Sequence, residues 1–176
     1  MDEPSVWLQN YIRDVPDFPE PGIVFKDITP LLRDPDALRY SVEALAADLV
    51  GADIDAVVGI DARGFIFGAP IACRVGCGFV PVRKKGKLPG DVSSVSYDLE
   101  YGSNCLELSA DAITTGARVA IIDDVLATGG TVAATIELCE KAGAEVACAS
   151  FVMELGFLEG RERLGDTDIH VLVNYA

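Results

Sequence analysis

The chain has 176 residues, half of them hydrophobic, and carries a formal net charge of −14. This length suits a single domain with a full hydrophobic core, and the apolar content excludes an intrinsically disordered chain. The strong negative charge opposes binding to nucleic acid and to anionic membrane surfaces.

The sequence carries no signal for export or membrane insertion. No apolar run reaches the roughly 18 residues that a membrane span requires, and the N-terminus has neither the basic flank nor the apolar segment of a signal peptide. Five cysteines stand at positions 73, 77, 105, 139 and 148. Cys73 and Cys77 could be metal ligands on one helix, but the chain has a single histidine, so buried reduced thiols are favoured. We therefore expect a cytoplasmic protein.

The N-terminal segment is predicted to hold a short helix, a rigid loop and a short strand. Residues 4–14 place apolar side chains at helical spacing, and Pro4 suits the first turn of a helix. A proline-rich loop at 17–22 precedes a short strand at 23–28. Phe25 in this strand is either an ordinary core residue, which the spacing favours, or a flat surface for a planar base.

From Asp34 onward, predicted helices alternate with predicted strands. Asp34 suits an N-cap and Pro35 a first helical position, so a helix should run from there to about Val50. Pro81 indicates that its strand lies at a sheet edge or ends there. The alternation predicts an α/β fold with a mainly parallel central sheet flanked by helices. The other strands are predicted at 56–60, 79–82, 119–122, 146–153 and 169–173, and the other helices at 67–75, 131–142 and 157–164.

Residues 84–95 are basic at first and then rich in glycine, proline and serine, which predicts a mobile loop. Residues 94–101 and 106–109 alternate in polarity and should pair as an antiparallel ribbon. The basic cluster at 83–87 supplies four of the 14 basic residues of the chain. Such a compact cluster suits a small anion such as diphosphate, because a nucleic-acid face would be broader.

The most informative stretch is residues 119–131, with the sequence VAIIDDVLATGGT. Its β-branched run predicts a buried parallel strand that ends in Asp123 and Asp124. The glycines allow a tight turn, and the free N–H groups of the following helix, with the threonine hydroxyls, can bind a phosphate. The carboxylates can accept hydrogen bonds from sugar hydroxyls or metal-bound water. A ribose 5-phosphate fits both groups, although a tight turn beside a solvated strand end has the same pattern.

Three loops should meet at one edge of the sheet. Ligands of parallel sheets bind beyond the carboxyl ends of the strands, and three predicted strands lead into loops at 61–64, 83–87 and 123–131. One edge would therefore combine a guanidinium, several lysines, two carboxylates and a phosphate-binding turn. This convergence favours the ribose-phosphate interpretation.

With these motifs the sequence resembles the type I phosphoribosyltransferase family, and in particular its adenine-specific branch. VAIIDDVLATGGT resembles the family's phosphoribosyl-diphosphate signature, and five further segments match in order and spacing over nearly the whole chain. The position of Asp61 varies in the family. The five segments are PDFPEPGIVFKDITPLL at 16–32, DARGFIFG at 61–68, RKKGKLPG at 83–90, YDLEYG at 97–102 and GRERL at 160–164.

The resemblance implies both an architecture and a reaction. The architecture is one domain over residues 1–176, with an N-terminal hood at 1–33 and a flexible catalytic loop at 84–102. The reaction belongs to purine salvage: adenine and 5-phospho-α-D-ribose 1-diphosphate give AMP and diphosphate. Mg²⁺ would be held mainly by substrate and water, with no direct protein ligand, and the enzyme would be a homodimer.

The resemblance also implies where the sugar diphosphate binds. Asp123 and Asp124 would hold the ribose hydroxyls, and Arg63 would lie between the diphosphate and the base. The 5-phosphate would be held by Ala127, Thr128, Gly129, Gly130 and Thr131. The diphosphate would be met by Arg83, Lys84 and Lys87 as the loop closes.

The adenine side of the site is implied in the same way. Val24 and Phe25 would line the base pocket, with Phe25 stacked on the purine. Glu100 would handle the adenine proton, unless it is only a structural hydrogen-bond acceptor that orders the loop. With Arg63, Asp123 and Asp124 it completes the predicted catalytic set.

Two other functions remain open at this point. A phosphoribosyltransferase for xanthine or guanine would need a donor for the 6-oxygen, and the match at Val24 and Phe25 favours adenine instead. A non-catalytic regulator of the same fold would usually carry a basic nucleic-acid face or an added domain, which the net charge and the length oppose. His170 is interpreted as structural, and Lys85 could be a merely solvated charge.

Overall fold

The computed structural model of the chain describes residues 4–98 and 103–176. Within these ranges, helices and strands alternate from residue 35 onward, as the sequence predicted, with two exceptions: four strands follow one another over residues 78–126, and only 3-10 turns separate the last two strands. The helices are α1 (Pro4–Gln9), α2 (Thr29–Arg33), α3 (Pro35–Ala47), α4 (Gly64–Val75) and α5 (Gly130–Lys141). The strands are β1 (Arg13–Pro16), β2 (Val24–Asp27), β3 (Ala56–Ile60), β4 (Gly78–Lys84), β5 (Val92–Asp98), β6 (Ser103–Ser109), β7 (Arg118–Leu126), β8 (Glu145–Leu155) and β9 (Ile169–Tyr175).

Seven strands form the central sheet in the order β5-β6-β4-β3-β7-β8-β9. The pairs β3–β4, β3–β7, β7–β8 and β8–β9 are parallel, whereas β6 is antiparallel to both β4 and β5. The mainly parallel sheet and the antiparallel ribbon at its end are therefore confirmed. Strands β1 and β2 form a separate antiparallel pair.

The core lies on both faces of the sheet because successive side chains of a buried strand point in opposite directions. In β7, Ala120 and Ile122 pack into the layer with α3 and α4. Val119 and Ile121 pack into the opposite layer with α5. All four side chains are fully buried, which explains why this strand is a continuous apolar run rather than an alternating one.

Local capping follows the predicted chemistry. The Asp34 carboxylate accepts hydrogen bonds from the backbone N–H groups of Asp36 (3.1 Å) and Ala37 (2.9 Å), so it caps α3 as expected. The prediction for Pro81 needs a refinement. Strand β4 is internal in the sheet, but its pairing with β6 starts only at Arg83, so Pro81 faces no partner on that side.

The N-terminal segment differs from the prediction of one helix over residues 4–14. Helix α1 ends at Gln9, and the chain then forms β1, which pairs with β2. The pairing is supported by two cross-strand ion pairs, Arg13–Asp27 (2.5 Å) and Lys26–Asp14 (2.7 Å). The helical spacing of apolar residues was misleading here, since tertiary pairing overrides a weak local preference.

Three further elements differ from the prediction. Helix α2 was not predicted; Asp27 precedes it and accepts hydrogen bonds from the backbone N–H and the hydroxyl of Thr29. The helix predicted at 157–164 is instead two 3-10 turns, Gly156–Leu158 and Gly160–Arg163, separated by Glu159 at φ 54°. Strand β7 does not end at Ile122 but continues through both aspartates to Leu126.

The longest helix among the described residues has 13 residues. No helix in the described ranges is long and apolar enough to cross a membrane.

Candidate active site

A pocket of about 250 Å³ opens at the carboxyl edge of the parallel strands. The three loops that the sequence predicted to meet there do so. The loop after β3 contributes residues 61–63, β7 and the loop after it contribute residues 123–125 and 127–131, and Lys84 stands at the end of β4. Tyr97, Asn104 and Leu106 of the antiparallel ribbon complete the wall.

Asp123 and Asp124 lie inside this pocket and are almost fully buried, at 9% and 2% exposure. One oxygen of Asp123 accepts a hydrogen bond from the backbone N–H of Asp124 (2.9 Å). The start of α4 packs directly on this part of β7. A Cβ at Gly64 would lie 2.7 Å from the Ile122 carbonyl oxygen and 3.0 Å from Asp123 Oδ1. The glycine of the DARG motif is therefore required by this close approach.

Arg63 joins the carboxylates to the N-terminal segment. Its Nε lies 2.8 Å from Asp124 Oδ2, but the contact lacks hydrogen-bond geometry, and Asp124 Oδ2 has no hydrogen-bond partner among the described residues. The guanidinium carbon of Arg63 lies 5.3 Å from the centre of the Phe25 ring. The Arg63 guanidinium thus lies against the buried carboxylate through its Nε and over the aromatic ring of Phe25.

Burial dominates the titration of the carboxylate pair. It raises the pKa of Asp123 well above its ordinary value, and the neighbouring charge of Asp124 raises that pKa further. Burial also raises the pKa of Asp124, although the positive charge of Arg63 opposes the shift. Donors that favour the charged form, such as sugar hydroxyls, would shift both groups back toward ionisation.

The loop between β7 and α5 has the form of an anion site. Gly129 is the N-cap of α5 and adopts φ 79°, a left-handed conformation that favours glycine. It provides no side-chain cap, so the first N–H groups of this 12-residue helix can bind an anion. Thr131 Oγ1 lies 3.2 Å from the hydroxyl of Tyr97. Residues 127–131, defined here as the phosphate loop, all line the pocket.

The basic residues divide into two groups. Lys84 lines the pocket, whereas Arg83 Nε and Lys87 Nζ each lie 3.2 Å from Asp61 Oδ2 beside it. Burial tends to raise the pKa of the Asp61 carboxyl, but hydrogen bonds from Lys87 and Arg83 outweigh it and leave that pKa below its ordinary value. The Asp61–Ala62 peptide bond is cis. The sequence analysis did not predict that Asp61 anchors Arg83 and Lys87, since these partners are 22 and 26 residues away along the chain.

Phe25 lies on β2 and is half-buried, outside the buried core. The interpretation of Phe25 as an ordinary core residue is therefore wrong. Phe18 stands edge-on to it, with ring centres 5.3 Å apart and planes at 76°. Val24 is 48% exposed. Neither Val24 nor Phe25 is among the residues that line the pocket, but Arg63, which lines it, also lies over the Phe25 ring.

Two other predicted residues need separate mention. Glu100 lies outside the described residues, so its role stays a prediction. His170 lies on β9 between Asp48 and Asp168, each 3.1 Å from one ring nitrogen, and it does not line the pocket. This placement agrees with a structural role.

The described residues contain no cluster of three or more His, Cys, Asp or Glu side chains that could hold a metal ion. Two buried carboxylates, one of whose oxygens accepts no hydrogen bond from the described residues, nevertheless suit a cation that is bound largely through water and substrate. Mg²⁺ is such a cation, since it keeps several waters and needs only one or two carboxylates in addition to phosphate oxygens.

The sequence matches the phosphoribosyl transferase domain family over residues 34–173. It is 55% identical over 168 residues to an adenine phosphoribosyltransferase of Thermobifida fusca, and the match covers 96% of both chains. It is 57% identical to an adenine phosphoribosyltransferase of Carboxydothermus hydrogenoformans, covering 96% of this chain and 99% of the relative.

Solved structures agree with these matches. The fold is similar to an adenine phosphoribosyltransferase of Thermoanaerobacter pseudethanolicus, with a TM-score of 0.93, 50% identity and coverage of 97% and 99% of the two chains. It is also similar to the Saccharomyces cerevisiae enzyme complexed with adenine and an imino-altritol bisphosphate, with a TM-score of 0.91, 41% identity and coverage of 96% and 97%.

Proposed function

The chain belongs to the phosphoribosyl transferase family, and we infer that it has adenine phosphoribosyltransferase activity. In this reaction the phosphoribosyl group of 5-phospho-α-D-ribose 1-diphosphate is transferred to adenine. The bond between C1 of the ribose and the diphosphate oxygen breaks, a bond from C1 to a ring nitrogen of adenine forms, and the nitrogen loses its proton. The products are AMP and diphosphate.

The position of Arg63 carries the assignment of the site. Its side chain contacts Asp124 at the end of β7 and the Phe25 ring on β2. These two elements are the ones assigned to the ribose and to the base. A substrate that joins ribose and base at C1 would therefore react beside Arg63, which is also a suitable counter-charge for the departing diphosphate.

For the sugar, we propose that the phosphate loop binds the 5-phosphate and that Asp123 and Asp124 bind the 2- and 3-hydroxyls. The support is the start of α5, which has no side-chain cap, and Asp124 Oδ2, which accepts no hydrogen bond from the described residues. The ribose gains positive charge as the C1–O bond stretches, as in glycoside hydrolysis. Two buried carboxylates nearby would stabilise that charge once they are ionised.

For the leaving group, we propose that Lys84, Arg83 and Lys87 bind the diphosphate together with Arg63. Lys84 already faces the pocket, and Asp61 holds Arg83 and Lys87 next to it. Mg²⁺, held mainly by substrate phosphates and water, would neutralise negative charge on the diphosphate. Positioned charges of this kind usually contribute the largest share of the rate acceleration.

For the base, we propose that adenine stacks on Phe25 and lies against Val24 within the hood formed by residues 1–33. The family match begins at residue 34, which is consistent with a separate role for the hood. Glu100 would accept the proton that adenine releases, as a general base. Segment 84–102 would close over the site and exclude water, which would suppress hydrolysis of the activated sugar.

The family resemblance further supports a homodimer and a place in purine salvage. We propose a cytoplasmic location, because the five cysteines are free thiols, as is usual in a reducing compartment. Light scattering of the purified protein would test the dimer.

One assay tests the proposed activity directly. The purified protein is incubated with 5-phospho-α-D-ribose 1-diphosphate and Mg²⁺, and with adenine, hypoxanthine, guanine or xanthine in parallel. We expect AMP from adenine and little product from the 6-oxopurines. A preference for guanine or xanthine would contradict the assignment of the base, and the absence of product with every base would indicate a non-catalytic sensor.

A further inference from the structure

The GRERL segment lies against the phosphate loop with no side chain between the two backbones. A Cβ at Gly160 would overlap the carbonyl oxygen of Ala127 and would lie 3.0 Å from the backbone nitrogen of Gly129. A Cβ at Gly129 would in turn overlap the carbonyl oxygen of Gly160. The two segments therefore meet glycine to glycine, and the position of one backbone limits the position of the other.

Little burial holds this segment in place by itself. It contains one short 3-10 turn, Gly160–Arg163, and a second turn, Gly156–Leu158, precedes it; residues 157–159 and 161–163 are exposed. Only Gly160 and Leu164 are buried between residues 157 and 166. Another interaction is therefore needed to keep Gly160 against the phosphate loop.

The ion pair between Arg161 and Glu154 provides that interaction. Arg161 Nε donates to Glu154 Oε1 at 2.7 Å, and Arg161 Nη2 donates to Glu154 Oε2 at 2.9 Å. Such a two-pronged contact fixes orientation as well as distance. Asn174 Nδ2 donates to the same carboxylate at 3.3 Å. The Glu154 side chain is only 5% exposed, whereas that of Arg161 is 48% exposed, so the carboxylate is shielded from water while the guanidinium is half-solvated.

The carboxylate is itself anchored next to the phosphate loop. Glu154 lies on β8 and pairs in register with Leu126 of β7, the residue immediately before the loop. The ion pair therefore connects the strand that leads into the loop with the segment that covers it. Arg161 stands one residue after Gly160, so its tether acts where the two backbones meet.

We propose that Arg161 and Glu154 are positioning residues for the binding of the 5-phosphate group. They hold the Gly160 backbone against Ala127 and Gly129, and this contact keeps the N–H groups of the phosphate loop aimed at one point. Neither side chain needs to touch the substrate. The proposal deepens the proposed function and rests on it, since it assumes that the phosphate loop binds the sugar phosphate.

The test compares Arg161→Met and Arg161→Lys with Arg74→Met. Arg74 forms a 2.9 Å pair with Glu43 in which both side chains are 51% exposed, and it provides the matched control. The readouts are the dissociation constant of ribose 5-phosphate by calorimetry, the KM values for both substrates, and the melting temperature. For Arg161→Met we expect ribose 5-phosphate to bind at least about tenfold more weakly, because small displacements of binding groups are costly. We expect the KM for adenine to change less than about twofold, Arg161→Lys to be intermediate, and Arg74→Met to bind like the wild type.

A second variant reaches the loop without altering the ion pair. Gly160→Ala places a methyl group against the Ala127 carbonyl and should weaken ribose 5-phosphate binding in the same selective way, even where Arg161→Met folds poorly. Wild-type affinity for ribose 5-phosphate in folded Arg161→Met or in Gly160→Ala would overturn the proposal. Binding of adenine and of sugar phosphate that weakens equally, together with a lower melting temperature, would overturn it too. If the wild type itself forms no AMP, the proposed function fails. This outcome is distinct from the two results that would overturn the role of Arg161 and Glu154.

Discussion

The hydroxyl oxygen of Tyr97 lies 3.2 Å from the hydroxyl oxygen of Thr131. Tyr97 belongs to β5 in the antiparallel ribbon, and Thr131 belongs to the first turn of α5. Both residues line the same pocket. A ligand that accepts a hydrogen bond from Thr131 would therefore also change the hydrogen bonding of β5, the strand that precedes Glu100.

Tyr97→Phe should weaken the binding of sugar phosphate without unfolding the protein. The substitution removes one hydroxyl and leaves the ring against Gly130, where a Cβ added to the glycine would lie 3.4 Å from the ring atom Cδ2. We expect ribose 5-phosphate to bind roughly three- to tenfold more weakly, which is the range of one hydrogen bond. Calorimetric titration measures this directly. Tyr40→Phe, in the aromatic cluster with Trp7, is the control, and an equal effect there would count against a local role for Tyr97.

The buried carboxylates should make the unliganded protein less stable as the pH rises. Burial raises the pKa of both Asp123 and Asp124 above the ordinary 3.8. The folded state therefore keeps protons that the unfolded state has already released. Their contribution to stability is full below the unfolded pKa and is lost as the pH rises from there through the folded pKa.

Asp123→Asn tests this prediction. The amide oxygen can still accept the hydrogen bond from the N–H of Asp124, but the buried ionisable group is gone. We expect the melting temperature at about pH 8 to rise by roughly 2–4 °C, equivalent to about 1 kcal/mol for a chain of this size, while activity falls. The gain should shrink toward about pH 4, where the wild-type group is protonated.

Scanning calorimetry across this pH range measures the difference between the two proteins. Asp36→Asn is the control, because Asp36 is an exposed partner of Arg39 and should show no such gain. A variant that is less stable than the wild type at every pH would show that the Asp123 carboxylate is structurally required.

Much of the fold was predictable because its signals are local and periodic. The N-cap at Asp34 and the apolar strand starting near Val119 each follow from neighbouring residues, and they are found close to their predicted positions. The meeting of three loops at one edge was predictable as well, since it follows from the geometry of parallel sheets.

The remainder depends on partners that are distant in sequence. The pairing of β1 with β2 overrides a helical pattern. Gly129 and Gly160, whose backbones are in contact, lie far apart in the chain. The contacts of Asp61 with Arg83 and Lys87 likewise have no local signature. Each of these follows only from the tertiary arrangement, so the sequence indicated which loops meet at the pocket but not how their side chains are held.

Lys87→Ala should weaken the binding of diphosphate while leaving the fold intact. Lys87 is 46% exposed and shares the Asp61 carboxylate with Arg83, so its loss leaves Asp61 paired. We expect diphosphate to bind about tenfold more weakly, because a charge-assisted contact is lost. The melting temperature should stay within about 2 °C of the wild-type value, as for most surface changes. Calorimetry with diphosphate and Mg²⁺ gives the affinity.

Lys85→Ala is the matched control for Lys87→Ala. Lys85 is an exposed neighbour whose backbone N–H bonds to the Cys105 carbonyl (3.1 Å), and alanine keeps that bond. If Lys87 binds the diphosphate specifically, Lys85→Ala should weaken diphosphate binding much less than Lys87→Ala does. An equal loss of diphosphate affinity in both variants would indicate a diffuse effect of net charge. In that case the loss should become smaller in both variants as salt is added.

Phe25→Ala should raise the KM for adenine far more than the KM for the sugar diphosphate. The centre of the Phe25 ring lies 5.3 Å from the centre of the Phe18 ring and 5.3 Å from the guanidinium carbon of Arg63, and the ring stands on a short strand outside the buried core. Its removal takes away the flat surface proposed for the purine, and stacking on an aromatic side chain is worth roughly 1–3 kcal/mol per base. Steady-state kinetics with each substrate varied in turn separates the two KM values. Phe18→Ala removes only the neighbouring ring and should raise the KM for adenine less. A parallel rise in both KM values for Phe25→Ala would mean that the ring shapes the whole site rather than the base pocket.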